Sequence, residues 1–240
     1  MVEDKKIYKT GINLKNKILP SFPDWLENKL NKDLKIKLEE NYKSILLEPR
    51  FDLRINSSIK RDKVIKLLAS NCIPSEKSKF SPLGITILKR IDEKKINKIK
   101  NRLFEIQDEG SQIVTILSGA KCGMKVLDYC AGKGTKTIAL VEQMKGKGEL
   151  FAYDKSQERL RYLRKRLDLL NLNKKISIFN HSDKFKNYFD LVLLDVPCTG
   201  SGIWRRRPDS IIKINKNKFK EYLTIQKDIL NKASKYCKKN

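Results

Sequence analysis

Apolar and polar residues follow two rhythms in this chain, and the rhythm changes near residue 111. Up to about residue 20 the sequence is polar and Lys-rich and keeps no period. Phe22-Pro-Asp-Trp-Leu26 then opens a short helix, with Asp24 near its N-terminus and Trp25, Leu26 and Leu30 on one face. A second helical stretch is predicted from Leu34 to Leu46. Pro49 ends it, because proline disfavours helix in the residue ahead of it. Phe51 to Asn56 alternates apolar and polar, as a half-buried strand does. Lys60–Ser70 reads as a helix offering Val64, Ile65, Leu67 and Leu68 to a core. Gly84–Leu88 reads as a strand and Ile91–Ile99 as a helix. These pieces predict a helical or linker segment over 1–49 and a small α+β domain over 50–110.

From residue 111 helix and strand patterns alternate, the signature of a parallel sheet with crossover helices. Gln112–Leu117 is predicted as helix, Lys125–Tyr129 as strand and Lys136–Met144 as helix. Glu149–Tyr153 is the second strand, Gln157–Leu170 a helix, Lys175–Phe179 the third strand and Phe189–Leu194 the fourth. A long helix follows over Asn217–Lys238, with Phe219, Tyr222, Leu223, Gln226, Ile229, Leu230 and Ala233 along one face. The expected fold class is α/β: a Rossmann-like domain over 111–240 behind the small α+β domain. A crossover helix leads to another parallel strand, and none is visible after Lys238. The sheet is therefore expected to be incomplete, with an open edge at its fourth strand.

Charge narrows the partners. The 240 residues hold 53 Lys+Arg against 28 Asp+Glu, a formal net charge of +25. Such an excess favours a polyanion, with nucleic acid first and an anionic membrane second, although abundant Lys, Ile and Asn also suggest compositional drift. Five cysteines, an odd number with no C-x-x-C spacing, and a single histidine, His181, disfavour a zinc site. With no signal peptide, reduced thiols in a cytoplasmic protein are expected. No apolar run approaches the roughly 20 residues of a membrane span. A monomer without metal, acting away from membranes, is the expectation.

Two strand ends carry candidate chemistry. Cys130, Ala131, Gly132, Lys133, Gly134, Thr135 and Lys136 follow the first strand of the second half. Open α/β sheets bind ligands at the carboxyl ends of strands. Gly132 and Gly134 permit a tight turn and close approach to the backbone. The helix behind them offers free N–H groups. Asp154 ends the second strand 20 positions after Gly134, where an acid can reach both hydroxyls of a ribose. A plain strand-to-helix turn gives the same glycine pattern, and the Asp154 spacing favours the ligand reading. Thr137 stands where a dinucleotide fold has its third glycine, and no phosphate-loop string occurs. Asp183, after the third strand, is placed to accept from an adenine amino group, or is an ordinary turn aspartate. At the end of the fourth strand, Asp195-Val-Pro-Cys198 sets a carboxylate and a thiol three positions apart, which suits chemistry on an electrophilic ring. Arg205, Arg206 and Arg207 follow as candidate phosphate contacts, whereas Arg159, Arg161, Arg164, Lys165 and Arg166 read as the solvated face of a helix.

These residues resemble a known family. Phe104-Glu-Ile-Gln-Asp-Glu-Gly-Ser-Gln112, Asp128-Tyr-Cys-Ala-Gly-Lys-Gly-Thr-Lys-Thr137 and Asp195-Val-Pro-Cys-Thr-Gly-Ser-Gly202 are similar to the RsmB/Sun family of RNA (cytosine-5) methyltransferases. Leu53-Arg-Ile-Asn56 and Arg206-Arg-Pro-Asp209 match further segments. The cofactor loop departs modestly from the family's Ala-Pro-Gly-Gly-Lys-Thr. The resemblance implies S-adenosylmethionine as methyl donor, held by Cys130 to Lys136, Asp154, Asp183 and Asp195. It implies RNA as substrate, most simply ribosomal RNA, with residues 50–110 positioning it. It implies that Cys198 assists removal of the carbon 5 proton and release of product, with Asp195 beside the ring. The family's attacking cysteine sits in a Thr-Cys-Ser run on the strand after the long helix. No such run occurs here, and Cys237 is read as part of the helix tail. An enzyme is expected by family. The alternatives are a fragment that binds RNA or the donor without turnover, and a tRNA-directed enzyme.

Overall fold

A computed structural model of the protein describes residues 12–14, 17–19, 22–34, 47–100 and 102–239. In chain order it has β1 (Ile12–Leu14) and β2 (Lys17–Leu19), then α1 (Asp24–Leu34). Next come β3 (Phe51–Ile55), α2 (Arg61–Ser70), β4 (Ser75–Lys77), β5 (Gly84–Ile87), α3 (Glu93–Ile99) and β6 (Phe104–Ile106). The α/β half runs α4 (Glu109–Leu117), β7 (Lys125–Asp128), α5 (Thr135–Gln143), β8 (Glu149–Ala152), α6 (Gln157–Leu170), β9 (Ile176–Ile178) and β10 (Leu191–Leu193). It closes with α7 (Asp209–Ile212) and α8 (Lys216–Ala233). Beyond Leu34, the helical stretch expected to Leu46 lies outside the described residues.

The chain divides into two compact units, one of residues 1–49 and 197–229, the other of residues 50–196 and 230–240. In the first unit β1 and β2 pair as an antiparallel hairpin in a stretch whose sequence signals no element. Its core is small: Phe22, Leu26 and Ile211 are buried, with Trp25, Leu30 and Trp204 packed around them. The Phe22 ring lies 5.5 Å from Trp204 and the Trp25 ring 5.7 Å from Phe219. Two ring pairs, Phe22 with Trp204 and Trp25 with Phe219, help to hold this unit.

The second unit contains two four-stranded sheets. One is fully antiparallel, in the order β4-β5-β3-β6. Leu53, Ile55, Ile85 and Phe104 pack there with Val64 and Leu68 of α2. The alternation in β3 predicts one solvated face, and the structure corrects this. Asp52 and Arg54 are 5% and 3% exposed, buried in a polar network instead of solvent. Thr86 and the Glu109 amide donate to the two oxygens of Asp52 at 2.8 and 3.1 Å. Arg54 donates through Nε to Gln107 at 2.7 Å and pairs through Nη1 with Glu142 of α5. Gln112 donates to the Gln107 carbonyl at 2.8 Å and accepts from Ser81 at 2.7 Å. The motif from Phe104 to Gln112 is thus the joint between the small sheet and the helices beside it.

The other sheet is fully parallel, in the order β10-β7-β8-β9. Val126, Leu150, Ala152 and Ile176 form its core with Ile138 and Leu140 of α5 and Leu160, Leu163 and Leu167 of α6. The spacing of three and four along α6 is what makes its stripe face the sheet. The strands advance from β7 to β8 to β9 on one side, and β10 returns to the other side of β7. The reversal makes a crevice at the carboxyl ends of β7 and β10, where such sheets bind ligands.

The end of the described chain differs from expectation. α8 stops at Ala233, a 3₁₀ turn covers Ser234–Tyr236, and Cys237 is extended with ψ 140°. Cys237 is therefore not in a helix tail. It forms a parallel bridge with Phe189 beside β10, so the edge read as open is partly occupied. The backbone groups of Asn187, Tyr188 and Phe189 find acceptors there that a continued helix could not offer.

Candidate active site

The turn after β7 is built by two glycines and one helix. The Gly134 amide donates to the Ala131 carbonyl at 2.8 Å, closing a tight turn. Gly132 has φ 55° and Gly134 φ 83°, the left-handed region where a Cβ is costly. A Cβ on Gly134 would lie 2.1 Å from Cδ1 of the buried Leu163, whereas one on Gly132 would meet nothing within 4 Å. The turn is therefore packed against α6 below and open above. Asp154, 6% exposed, ties it to β8: its Oδ2 accepts the Gly132 amide at 2.9 Å and its Oδ1 the Ser156 amide at 2.8 Å. Arg159 stands 3.7 Å from the same Oδ2.

Charge is arranged around this turn. Asp128 ends β7 fully buried; it accepts from Thr137 at 2.7 Å through Oδ2, and its Oδ1 has no partner among the described residues. Burial above all pushes its carboxyl up to about 6, with Asp195 adding and the Thr137 bond opposing. Burial, then the charges of Asp128, Asp154 and Asp195, push the Cys130 thiol up to about 12. A thiol that keeps its proton is a poor nucleophile. Lys136, in the first turn of α5, reaches across the crevice to Asp195 at 2.6 Å. This pair joins the ends of β7 and β10.

Cys130 to Lys136, Asp154 and Asp195 are thus brought together. Asp183 is exposed, at the start of a 3₁₀ turn after β9. In the other unit Cys198 is exposed, and its Sγ accepts the Gly200 amide at 3.4 Å. Arg205, Arg206 and Arg207 are exposed in that unit. His181 has a structural role, its Nδ1 lying 2.9 Å from the Tyr236 hydroxyl. Three further residues bear on the turn or its supports. Asp128 was visible as the charged end of an apolar run. Arg166 is not part of a solvated face: its side chain is 17% exposed and bonds the Lys133 carbonyl and Glu105. Its place one turn after Leu163 and next to Leu167 marked it as flanking the apolar stripe. Glu105 carried no such mark.

A family model described as "16S rRNA methyltransferase RsmB/F" matches residues 114–240, more than half of the chain. The chain belongs to the RsmB/F methyltransferase family. Among its curated relatives, ribosomal RNA small subunit methyltransferase B of Pseudomonas putida is 28% identical over 218 residues, covering 87% of this chain and 49% of the relative. The probable ribosomal RNA small subunit methyltransferase B of Bacillus subtilis is 27% identical over 226 residues, covering 91% and 50%. The chain spans about half the length of these RsmB relatives. Two solved structures share the fold. NSun6 from Pyrococcus horikoshii, with SFG, has a TM-score of 0.72 at 18% identity over 90% of this chain and 80% of that one. A methyltransferase homolog from the same organism has 0.73 at 22% identity, covering 91% and 70%. The expected Rossmann-like α/β fold and RsmB/Sun resemblance both hold. Among the described residues no helix is long and apolar enough to cross a membrane.

Proposed function

We propose that the protein transfers a methyl group from S-adenosylmethionine to carbon 5 of cytosine in ribosomal RNA. The observation that carries this reading is the convergence of Asp128, Asp154 and Asp195 on the glycine turn at the strand-reversal crevice. The residues fit the donor. Asp128 has a buried oxygen with no partner, a match for a cationic ligand. Each Asp154 oxygen keeps a lone pair for a ribose hydroxyl beside the amide it already accepts. The open space over Gly132 admits a ligand against the backbone. Asp183 is assigned to the adenine amino group. When bound, S-adenosylmethionine supplies an electrophilic methyl group.

Lys136 holds Asp195 as an acceptor for the cytosine amino group as charge shifts in the ring. Cys198 assists departure of the carbon 5 proton, and Gly200 fixes the orientation of its thiol. Activation of carbon 5 requires a second thiol to add to carbon 6, and burial holds the Cys130 thiol of the glycine turn in its protonated form. That observation favours a second reading, donor and RNA binding without turnover. Arg205 to Arg207 contact phosphates, and the target base is single-stranded or flipped out.

RNA carrying tritium at cytosine carbon 5 separates these readings. Methylation at that atom releases tritium only when donor is present. Release from small-subunit ribosomal RNA supports the proposal, and release from tRNA alone overturns its substrate. Methyl incorporation without release overturns the carbon 5 assignment. Calorimetric binding of S-adenosylhomocysteine without release supports the second reading.

A further inference from the structure

We infer that Arg166 is a positioning residue for the methyl-donor turn, and that Glu105 of the small sheet holds it in place. The inference rests on the donor reading above and adds to it a link from the antiparallel sheet to the donor site.

Arg166 lies on α6 and is 17% exposed. Its Nη1 donates to the Lys133 carbonyl at 2.6 Å and stands 3.4 Å from the Thr135 hydroxyl. Its Nη2 donates to Oε2 of Glu105 at 2.7 Å, and Glu105 is itself 9% exposed. Lys100 donates to the same oxygen at 2.7 Å.

The contact on Lys133 is a lever on the turn. The Lys133 carbonyl and the Gly134 amide belong to one planar peptide unit. Arg166 holds the carbonyl end of that plane, and the Ala131 carbonyl holds the amide end at 2.8 Å. A plane fixed at both ends cannot rotate. Gly134 on its C-terminal side would otherwise let it rotate, since glycine accepts φ of either sign. Leu163, one helical turn before Arg166, fills the space under Gly134. One face of α6 thus fixes the turn from below and from the side.

Electrostatics explains the second partner. A guanidinium beside the first residue of α5 faces the positive end of that helix. Glu105 supplies the compensating charge, and a planar fork bonds a carbonyl and a carboxylate in different directions at once. Glu105 sits in β6, an edge strand of the small sheet. Donor affinity therefore depends on how that sheet is seated.

Calorimetric titration of the full chain with S-adenosylhomocysteine tests this, with RNA binding and thermal midpoint measured alongside. Arg166→Gln is expected to weaken binding about tenfold, the scale of one lost charge-assisted hydrogen bond. Arg166→Lys is expected to recover part of that affinity. Glu105→Gln is expected to weaken binding severalfold in the parent and not at all in Arg166→Gln. RNA affinity stays at the parent value throughout. A purely structural role would lower the thermal midpoint and leave donor affinity unchanged below it. Parent-like affinity in Arg166→Gln, or in Glu105→Gln should the first variant not fold, overturns the inference alone. No binding by the parent overturns it together with the donor reading.

Discussion

The two sheets of the larger unit are built from opposite chemistry. Around the parallel sheet the contacts between strands and helices are mostly apolar, and Val126, Leu140, Leu150 and Leu163 are almost completely buried. Beside the antiparallel sheet, Asp52, Arg54, Gln107, Glu109 and Gln112 are buried to a similar degree but linked by hydrogen bonds. Apolar burial contributes stability and tolerates small shifts. A hydrogen-bonded joint contributes little net stability and permits one geometry, because each lost partner leaves a stranded polar group. The parallel sheet contributes most of the apolar burial, and the polar joint fixes how the small sheet meets the helices beside the glycine turn.

The largest effect should come from stranding a charge in that joint. Glu142→Leu removes the carboxylate that faces Arg54 and is expected to cost about 3–5 kcal/mol in urea unfolding. Arg54→Met with Glu142→Leu should recover most of that loss, because no charge is left unpaired. A mild single variant would show that the joint is not the rigid element described here. On the apolar side, Gly134→Ala drives a Cβ into Leu163 and is expected to cost about 2–4 kcal/mol. Leu163→Ala in the same chain should relieve the clash, so that the pair costs less than the sum of the two singles.

Asp128 is a fully buried ionisable group beside the glycine turn, and it has a pH signature. Its folded pKa of about 6 lies above the ordinary 3.8, so the folded state keeps a proton that the unfolded chain releases. This contribution is greatest below about pH 4 and declines by about 3 kcal/mol as pH rises to about 6. Asp128→Asn is expected to flatten that decline in urea midpoints while weakening donor binding. The smallest effect on stability lies outside both sheets. Replacing Arg205, Arg206 and Arg207 with alanine should leave the thermal midpoint in place. The log–log salt slope of RNA binding should become shallower by about 2, near 0.7 per phosphate contact.

Much of this was legible in residue order. The parallel strands announced themselves as apolar runs ending in Asp128, Asp154 and Asp195, because buried strands need apolar side chains and ligand sites need polar ends. β4 was not legible: Ser75-Glu-Lys77 is an edge strand without an apolar residue. β6 was hidden by Glu105, whose charge reads as exposure until Arg166 and Lys100 are placed around it. Arg166 was grouped with four exposed neighbours because a helix period separates faces only coarsely. Long-range pairing decides such cases, and neighbouring residues carry no record of it.

The bridge between Phe189 and Cys237 has a practical consequence. Four backbone hydrogen bonds connect residues 187–189 with residues 235–238, and Lys238 adds an ion pair to Asp190 at 2.5 Å. Proteolytic trimming upstream of position 235 would strip them from the strand next to the donor crevice.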